Sequence, residues 1–393
     1  MLFTQPAVEE IFNGGPPIRL ERALRLRRLR LDLRIEDRSL AVVLVSWLPL
    51  AVLLMFTELV TGKSDWYSFL TDTGCYARYV IAAPLLILAE GDTIPIFGKV
   101  IRHFLLGGFI PAQENNRYDA AVCSTRRLLN SKIVEFASIL IAYLIAIVAV
   151  IKIPREDTPS WYWFDSNLPF GLSPAGMWQV FFSLPLLLLL CLGWLWRIAL
   201  WWRFLWLMSR LDLILVSTHP DQAGGMKFVS TSVRGFRILA LAFSTVVAGA
   251  HTNQMLHSGL NPKDLRTSAI AVAVFVLLFA TGPLFLFFSK LRETRLKGVF
   301  KYGALVRDVG VQFEKKWLDR LGTFDSATLS TNDFSAMTDL NQVVGNAHSV
   351  RDIPFSWRDV SYLAVIAVIP FLPAALMSIP LSDLLHELLK LVV

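Results

Sequence analysis

A chain of 393 residues that is 54% hydrophobic and only 18% charged holds more apolar surface than one water-soluble core of that size absorbs, which points to a bilayer and away from an ordinary soluble domain. Its formal charge of +7 does not indicate a nucleic-acid partner, because the basic residues recur in blocks between apolar stretches and form no strip interleaved with aromatics. The cysteines Cys75, Cys123 and Cys191 are too scattered for a disulfide framework or a zinc site and are expected to be packing residues.

Residues 1–39 read as a basic arm, with Arg19, Arg22, Arg25, Arg27, Arg28, Arg30, Arg34 and Arg38. The arm lacks the apolar stretch and cleavage site of a secretory signal, so insertion is expected through internal spans. Leu20, Leu24, Leu31 and Ile35 recur at roughly helical intervals, which predicts a helix lying on the inner membrane surface or against another subunit.

Crossing about 30 Å of hydrocarbon takes about 20 mostly apolar residues. Seven stretches approach this: 40–60, 77–98, 133–151, 177–196, 236–256, 268–289 and 360–381. Glu90 and Asp92 interrupt the second, but leaving it out would scramble the alternation of basic loops. With it, Lys and Arg collect in the arm and in 99–132, 197–237 and 290–358, so the positive-inside rule predicts an all-α, seven-span, multi-pass protein of a bacterial inner membrane, N-terminus inside and C-terminus outside. The expected divisions are the arm, spans one to six with their inner loops over 40–289, a cytoplasmic helical region over 290–358, span seven over 359–381, and an amphipathic outer tail over 382–393.

Aromatic residues fit this plan. Trp161 and Trp163 lie in an outer loop, and Trp194, Trp196, Arg197, Trp201, Trp202 and Arg203 follow one another where span four leaves the membrane, so both groups are expected to anchor at headgroups. After span six the helical register of KLRETRLKGVFKYGALVRDVGVQFEKKWLDRL predicts a long helix projecting into the cytoplasm. A loop over 322–330 ends it, Ser330 or Thr331 caps a short helix running to about 347, and Pro354 precedes span seven.

The residues able to carry chemistry lie toward the inner side. Glu90 and Asp92 on span two, Glu135 at the foot of span three, and His219 with Asp221 in the turn HPDQAGG are expected to converge there. Acids within a span are costly in lipid and normally face a cavity or a base. Such a cluster can ligate a divalent cation, line an ion path or relay protons, or act as acid and base on a lipid head group. The plainer alternative is that Glu90 pairs with Arg126, Arg127 or Arg197, and that Asp221 caps the helix starting near Gly224. No cofactor is required, and the absence of a GxxxxGK[ST] or GxGxxG motif leaves transport passive or gradient-driven. Pro49, Pro84, Pro95, Pro185, Pro283, Pro370 and Pro373 fall in or at the edges of spans, and Pro370 and Pro373 make span seven a candidate pore-lining or hinge helix.

The stretches PLLILAE at 84–90, AGMW at 175–178, HPDQAGG at 219–225 and IPF at 353–355 resemble those of an uncharacterised family of bacterial inner-membrane proteins with an HPDxAGG turn, although Met226 and Lys227 depart from its pattern. That resemblance implies no activity. The plan is also similar to that of insect chemoreceptor channels, as an analogy of architecture. Three functions follow as expectations. The first is a homo-oligomeric channel or passive carrier with Glu90, Asp92, Glu135, Pro370 and Pro373 along the path. The second is a membrane enzyme on a lipid-linked substrate using His219, Asp221, Glu90 and Glu135. The third is a scaffold or sensor for a soluble cytoplasmic partner.

Overall fold

The structure is a computed structural model, and it describes residues 11, 12, 14, 15, 34–62, 65–152, 158–164, 171–258, 262–318 and 332–377. Among these the chain is helical, apart from loops and one isolated antiparallel bridge between Trp163 and Leu172. Seven helices are long and apolar enough to cross a membrane, one for each expected stretch: Ile35–Thr61, Thr73–Leu106, Lys132–Lys152, Pro174–Ser209, Met226–Leu256, Asp264–Trp317 and Trp357–Met377. They are called spans one to seven. The chain is a multi-pass membrane protein.

Burial sorts the spans into a centre and a rim. Half or more of the apolar window is buried in spans two, four and five (50%, 50% and 56%), against 17%, 17%, 28% and 22% in spans one, three, six and seven. Span one packs on span two and the start of span four, span three on span four, span six on spans four and five, and span seven on spans five and six. The core between the central spans is aromatic. Phe97 of span two stacks on Trp201 of span four at 4.1 Å and 6°, with Phe104, Phe204 and Phe287 continuing the layer.

The prolines explain where these helices break. A proline within a helix removes one hydrogen bond and crowds the preceding turn. Spans two and four answer this alike: a π-helical turn, Ala77–Ala82 before Pro84 and Gln179–Ser183 before Pro185, widens the helix just ahead of the ring. Spans six and seven tighten instead, through the 3-10 turns Gly282–Phe287 around Pro283 and Ile369–Phe371 around Pro370. Gly282 is needed for proximity, since a Cβ there would lie 2.4 Å from the Trp202 ring.

Beyond its break span six runs on as the helix Phe288–Trp317, as its register predicted. It packs against the helix Asp333–His348, with Phe334 edge-on to Phe313 at 5.0 Å and against Trp317 at 4.6 Å. The predicted arm helix up to residue 33, the loop at 322–330, the caps at Ser330 and Thr331, and the tail 382–393 lie outside the described residues.

Candidate functional site

At the end of the bundle where the basic loops gather, Glu90 sits at the meeting point of three spans. Its Oε2 accepts a hydrogen bond from Arg38 Nη1 of span one at 2.8 Å, and its Oε1 accepts one from Arg197 Nη2 of span four at 3.0 Å. The Glu90 and Arg197 side chains are 5% and 2% exposed, so this pair is withdrawn from water and Arg38 is nearly so. One carboxylate thus faces two guanidinium groups, whose positive charge lies in a low-dielectric interior. Arg197 disperses part of it, because its guanidinium lies 5.0 Å from the Trp194 ring and Nη2 also donates to the Gly14 carbonyl at 3.1 Å. Trp194 is itself fixed by an Nε1 hydrogen bond to the Leu86 carbonyl at 2.7 Å.

That contact with Gly14 brings part of the N-terminal arm into the bundle. Ile11 and Phe12 are buried, and the Phe12 ring meets Phe97 at 5.5 Å and Trp201 at 6.1 Å, edge-on to both. Gly14 and Gly15 let the backbone turn over the end of the helix Asn115–Leu129. A Cβ on Gly14 would lie 2.7 Å from Asn130 Oδ1, and Gly15 combines a φ of +81° with a similarly close Leu129. Ile11, Phe12, Gly14 and Gly15 therefore form a wedge against the charged triad.

The other acids lie elsewhere. Asp92, two residues beyond Glu90, faces Arg237 of span five at 3.4 Å and is partly exposed. Glu135 occupies the first turn of span three, where a carboxylate suits the helix dipole. His219 and Asp221 pair with each other at 2.8 Å. Among the described residues no three His, Cys, Asp or Glu side chains come together to hold a metal ion. The expected convergence of Glu90, Asp92, Glu135, His219 and Asp221 is thus corrected: an arginine on an adjacent span claims each acid of span two, and the turn consumes its own.

The turn HPDQAGG is built around the Asp221 carboxylate. Its Oδ1 accepts the backbone N–H of Ala223 at 2.9 Å and Gly225 at 3.0 Å, and its Oδ2 that of Lys227 at 3.0 Å. Burial alone would raise the Asp221 carboxyl, but these donors and His219 outweigh it and hold it below the usual carboxylate range. Gln222, Gly224 and Gly225 all adopt positive φ, and a Cβ on Gly225 would lie 2.8 Å from the Phe109 ring. The Gln222 carbonyl accepts from Arg351 N–H at 2.8 Å, which ties the turn to the segment leading into span seven. The plainer expectation for Asp221, a cap, describes this geometry.

Several expected interface anchors are core residues. Trp194, Arg197 and Trp201 are buried because positions three and four apart share a helix face, and that face of span four turns inward. Trp202 and Trp206 lie on the outer face, and Trp196 and Arg203 at its edge. Trp161 is also buried, with its Nε1 donating to Asp72 at 3.2 Å, whereas Trp163 is partly exposed. Pro370 and Pro373 lie on span seven at the rim, outside the central trio. Sequence reasoning named Arg197 as a partner for Glu90 but counted Arg38 only as a topology signal, and it missed Phe12 and Gly14. Phe12 within IFNGG, an aromatic residue before two glycines in an otherwise polar arm, was the available clue. Comparison of the chain with protein-family models, curated proteins and solved structures finds no match.

Proposed function

We propose that the protein is a passive carrier for small solutes or ions, and that Arg38, Glu90 and Arg197 form the gate at its basic end. The observation that carries this reading is the triad itself. Charges from three different spans, two of them buried, are an expensive way to hold helices together, since apolar side chains of similar size do so at least as well. They suit a contact that must break and re-form, because each partner is well solvated once water enters. The stacked Phe97 and Trp201 rings and the Phe12 wedge close the same end, which favours a gated carrier over an open channel. In this reading the basic end faces the cytoplasm of a bacterial inner membrane, no cofactor takes part, and homo-oligomers form through the exposed faces of the rim spans. With both span-two acids paired to arginines, the interior favours anions over cations.

The test is flux in liposomes holding the purified protein, across potassium, sodium, chloride, phosphate and acetate, with Glu90→Gln as comparison. Flux that Glu90→Gln changes at least tenfold is expected. An intact, folded protein that moves none of these solutes in either form would overturn the carrier reading.

One observation favours a second reading. The arm formed by Phe288–Trp317 and Asp333–His348 leaves Phe300, Leu305 and Val311 exposed, which suits a scaffold that passes a signal to a soluble partner. A partner recovered with the full chain and lost on removing 300–345, together with no flux, would favour it.

A further inference from the structure

A second buried polar cluster lies at the opposite end of spans two and four, away from the triad. Asp72 opens span two, is fully buried, and is engaged twice: Oδ1 caps the backbone N–H of Cys75 at 2.9 Å, and Oδ2 accepts from Trp161. Arg78 follows within the π-helical turn. Its Nε donates to the Gly74 carbonyl at 2.8 Å, and no carboxylate lies within ion-pair distance of it among the described residues. A Cβ placed on Gly74 would meet Asp72 Oδ1 at 3.2 Å and Arg78 Nη2 at 3.4 Å, so both groups flank one small space left open by a glycine. Arg78 is not wholly enclosed.

Arg78 has polar neighbours. Tyr79 is fully buried, and its hydroxyl has no hydrogen-bond partner among the described residues. Gln179, on the matching π-helical turn of span four, is also fully buried, and its amide meets the Tyr162 phenol. The Tyr162 phenol stands beside both Arg78 and Gln179. A buried polar group without a partner is destabilising, and native folds keep few of them. Here Tyr79 carries that flaw beside the Arg78 cation, and both Tyr79 and Gln179 sit on π turns, a rare element that recurs at functional sites.

We infer that Arg78, Tyr79, Tyr162 and Gln179 form a binding site for an oxyanion, the carboxylate or phosphate of a small solute or of a lipid head group. The unused groups are donors: the guanidinium Nη atoms and the Tyr79 phenol, with the paired Tyr162 phenol and Gln179 amide beside them. Guanidinium geometry matches an oxyanion with two parallel hydrogen bonds. A cation would meet the Arg78 charge, and an apolar ligand would leave the donors unmet. This site deepens the carrier reading by naming the solute class, and the two fail separately because binding is measured without transport.

The test uses the full chain in an uncharged detergent, following thermal unfolding against sodium phosphate, sodium acetate or sodium chloride at constant ionic strength. A parallel arm uses nanodiscs of neutral lipid with and without phosphatidylglycerol. The wild type is expected to gain stability with phosphate or acetate and not with chloride; a gain from phosphatidylglycerol alone identifies the lipid as source. Arg78→Gln is expected to weaken the response at least tenfold. Because that variant can misfold, Gln179→Leu and Tyr79→Phe serve beside it, since both preserve shape and Tyr79→Phe removes an unmet polar atom. Tyr79→Phe is expected to fold at least as stably as wild type, and both variants to need at least tenfold more anion. No anion or lipid response in the wild type, or an equal response in Gln179→Leu and Tyr79→Phe, overturns the site.

Discussion

The Glu90 carboxylate receives the Arg197 guanidinium at 3.0 Å across the interface of spans two and four, with both side chains almost wholly withdrawn from solvent. Removing one member of a buried pair leaves the other uncompensated, which costs about 3–5 kcal/mol. Glu90→Ala is therefore expected to lower stability by about that amount, and more than Asp92→Ala, whose ion pair is longer and wetter. The double variant Glu90→Leu with Arg197→Leu is expected to lie closer to wild type than the two single changes summed, with a coupling of about 2 kcal/mol or more. Chemical unfolding of the four proteins in detergent checks this, and additive losses would dismiss the pair as a unit.

Burial on span four predicts a contrast between neighbouring tryptophans. Trp201 is fully buried against Phe97, whereas Trp206 is 42% exposed. Trp201→Ala is expected to destabilise by about 3–5 kcal/mol through lost packing and a cavity, and Trp206→Ala by less than about 1 kcal/mol. Equal losses would mean that the inward face has been misassigned.

Two glycines offer a second contrast. Gly225 combines a φ of +93° with the Phe109 ring 2.8 Å from where a Cβ would stand, whereas Gly303 lies within the span-six extension with open space around it. Gly225→Ala is expected to cost about 1–3 kcal/mol from backbone strain, with a further penalty for displacing Phe109. Gly303→Ala is expected to be neutral or to stabilise by up to about 1 kcal/mol, as alanine does in a helix. Thermal midpoints of the two variants decide it.

Asp221 predicts a dependence on pH. Its folded pKa is depressed, so its contribution is complete above the unfolded value of about 3.9 and is lost as pH falls through the folded value. Between pH 6 and pH 3 the wild type should lose more stability than Asp221→Asn. At pH 7 the variant should be weaker by on the order of 1 kcal/mol, because an amide cannot accept from all three backbone donors as a carboxylate does. Parallel pH profiles would remove Asp221 from the account.

Periodicity and charge made the spans legible, since hydropathy over about 20 residues is a property of contiguous sequence. Span two was recoverable despite Glu90 and Asp92 because the alternation of basic loops demanded it. The pairing of Glu90 with Arg38 was not legible, because 52 residues separate them and Arg126, Arg127 and Arg197 of the basic loops were the candidates that the sequence offered. The Trp and Arg run of span four misled for a different reason. Composition suggested an interface, while the spacing of 194, 197 and 201 marked a single face, and for a central helix the second signal governs. Arg78 escaped because it stands where a span was expected to begin, a position at which an arginine normally reaches to the headgroups. Only the tertiary arrangement places the Tyr162 phenol beside it.

The wedge formed by Ile11, Phe12, Gly14 and Gly15 has a consequence for biosynthesis. Phe12 leaves the ribosome early, yet its seat between Phe97 and Trp201 does not exist until span four has been made. At roughly 5–20 residues per second the segment waits on the order of ten seconds or more, unseated, while the membrane part assembles around its future place. Docking of Phe12 is thus a late event that records whether spans two and four have come together. A protease site engineered into the arm would be cut readily in partly made chains and resist cutting in finished ones.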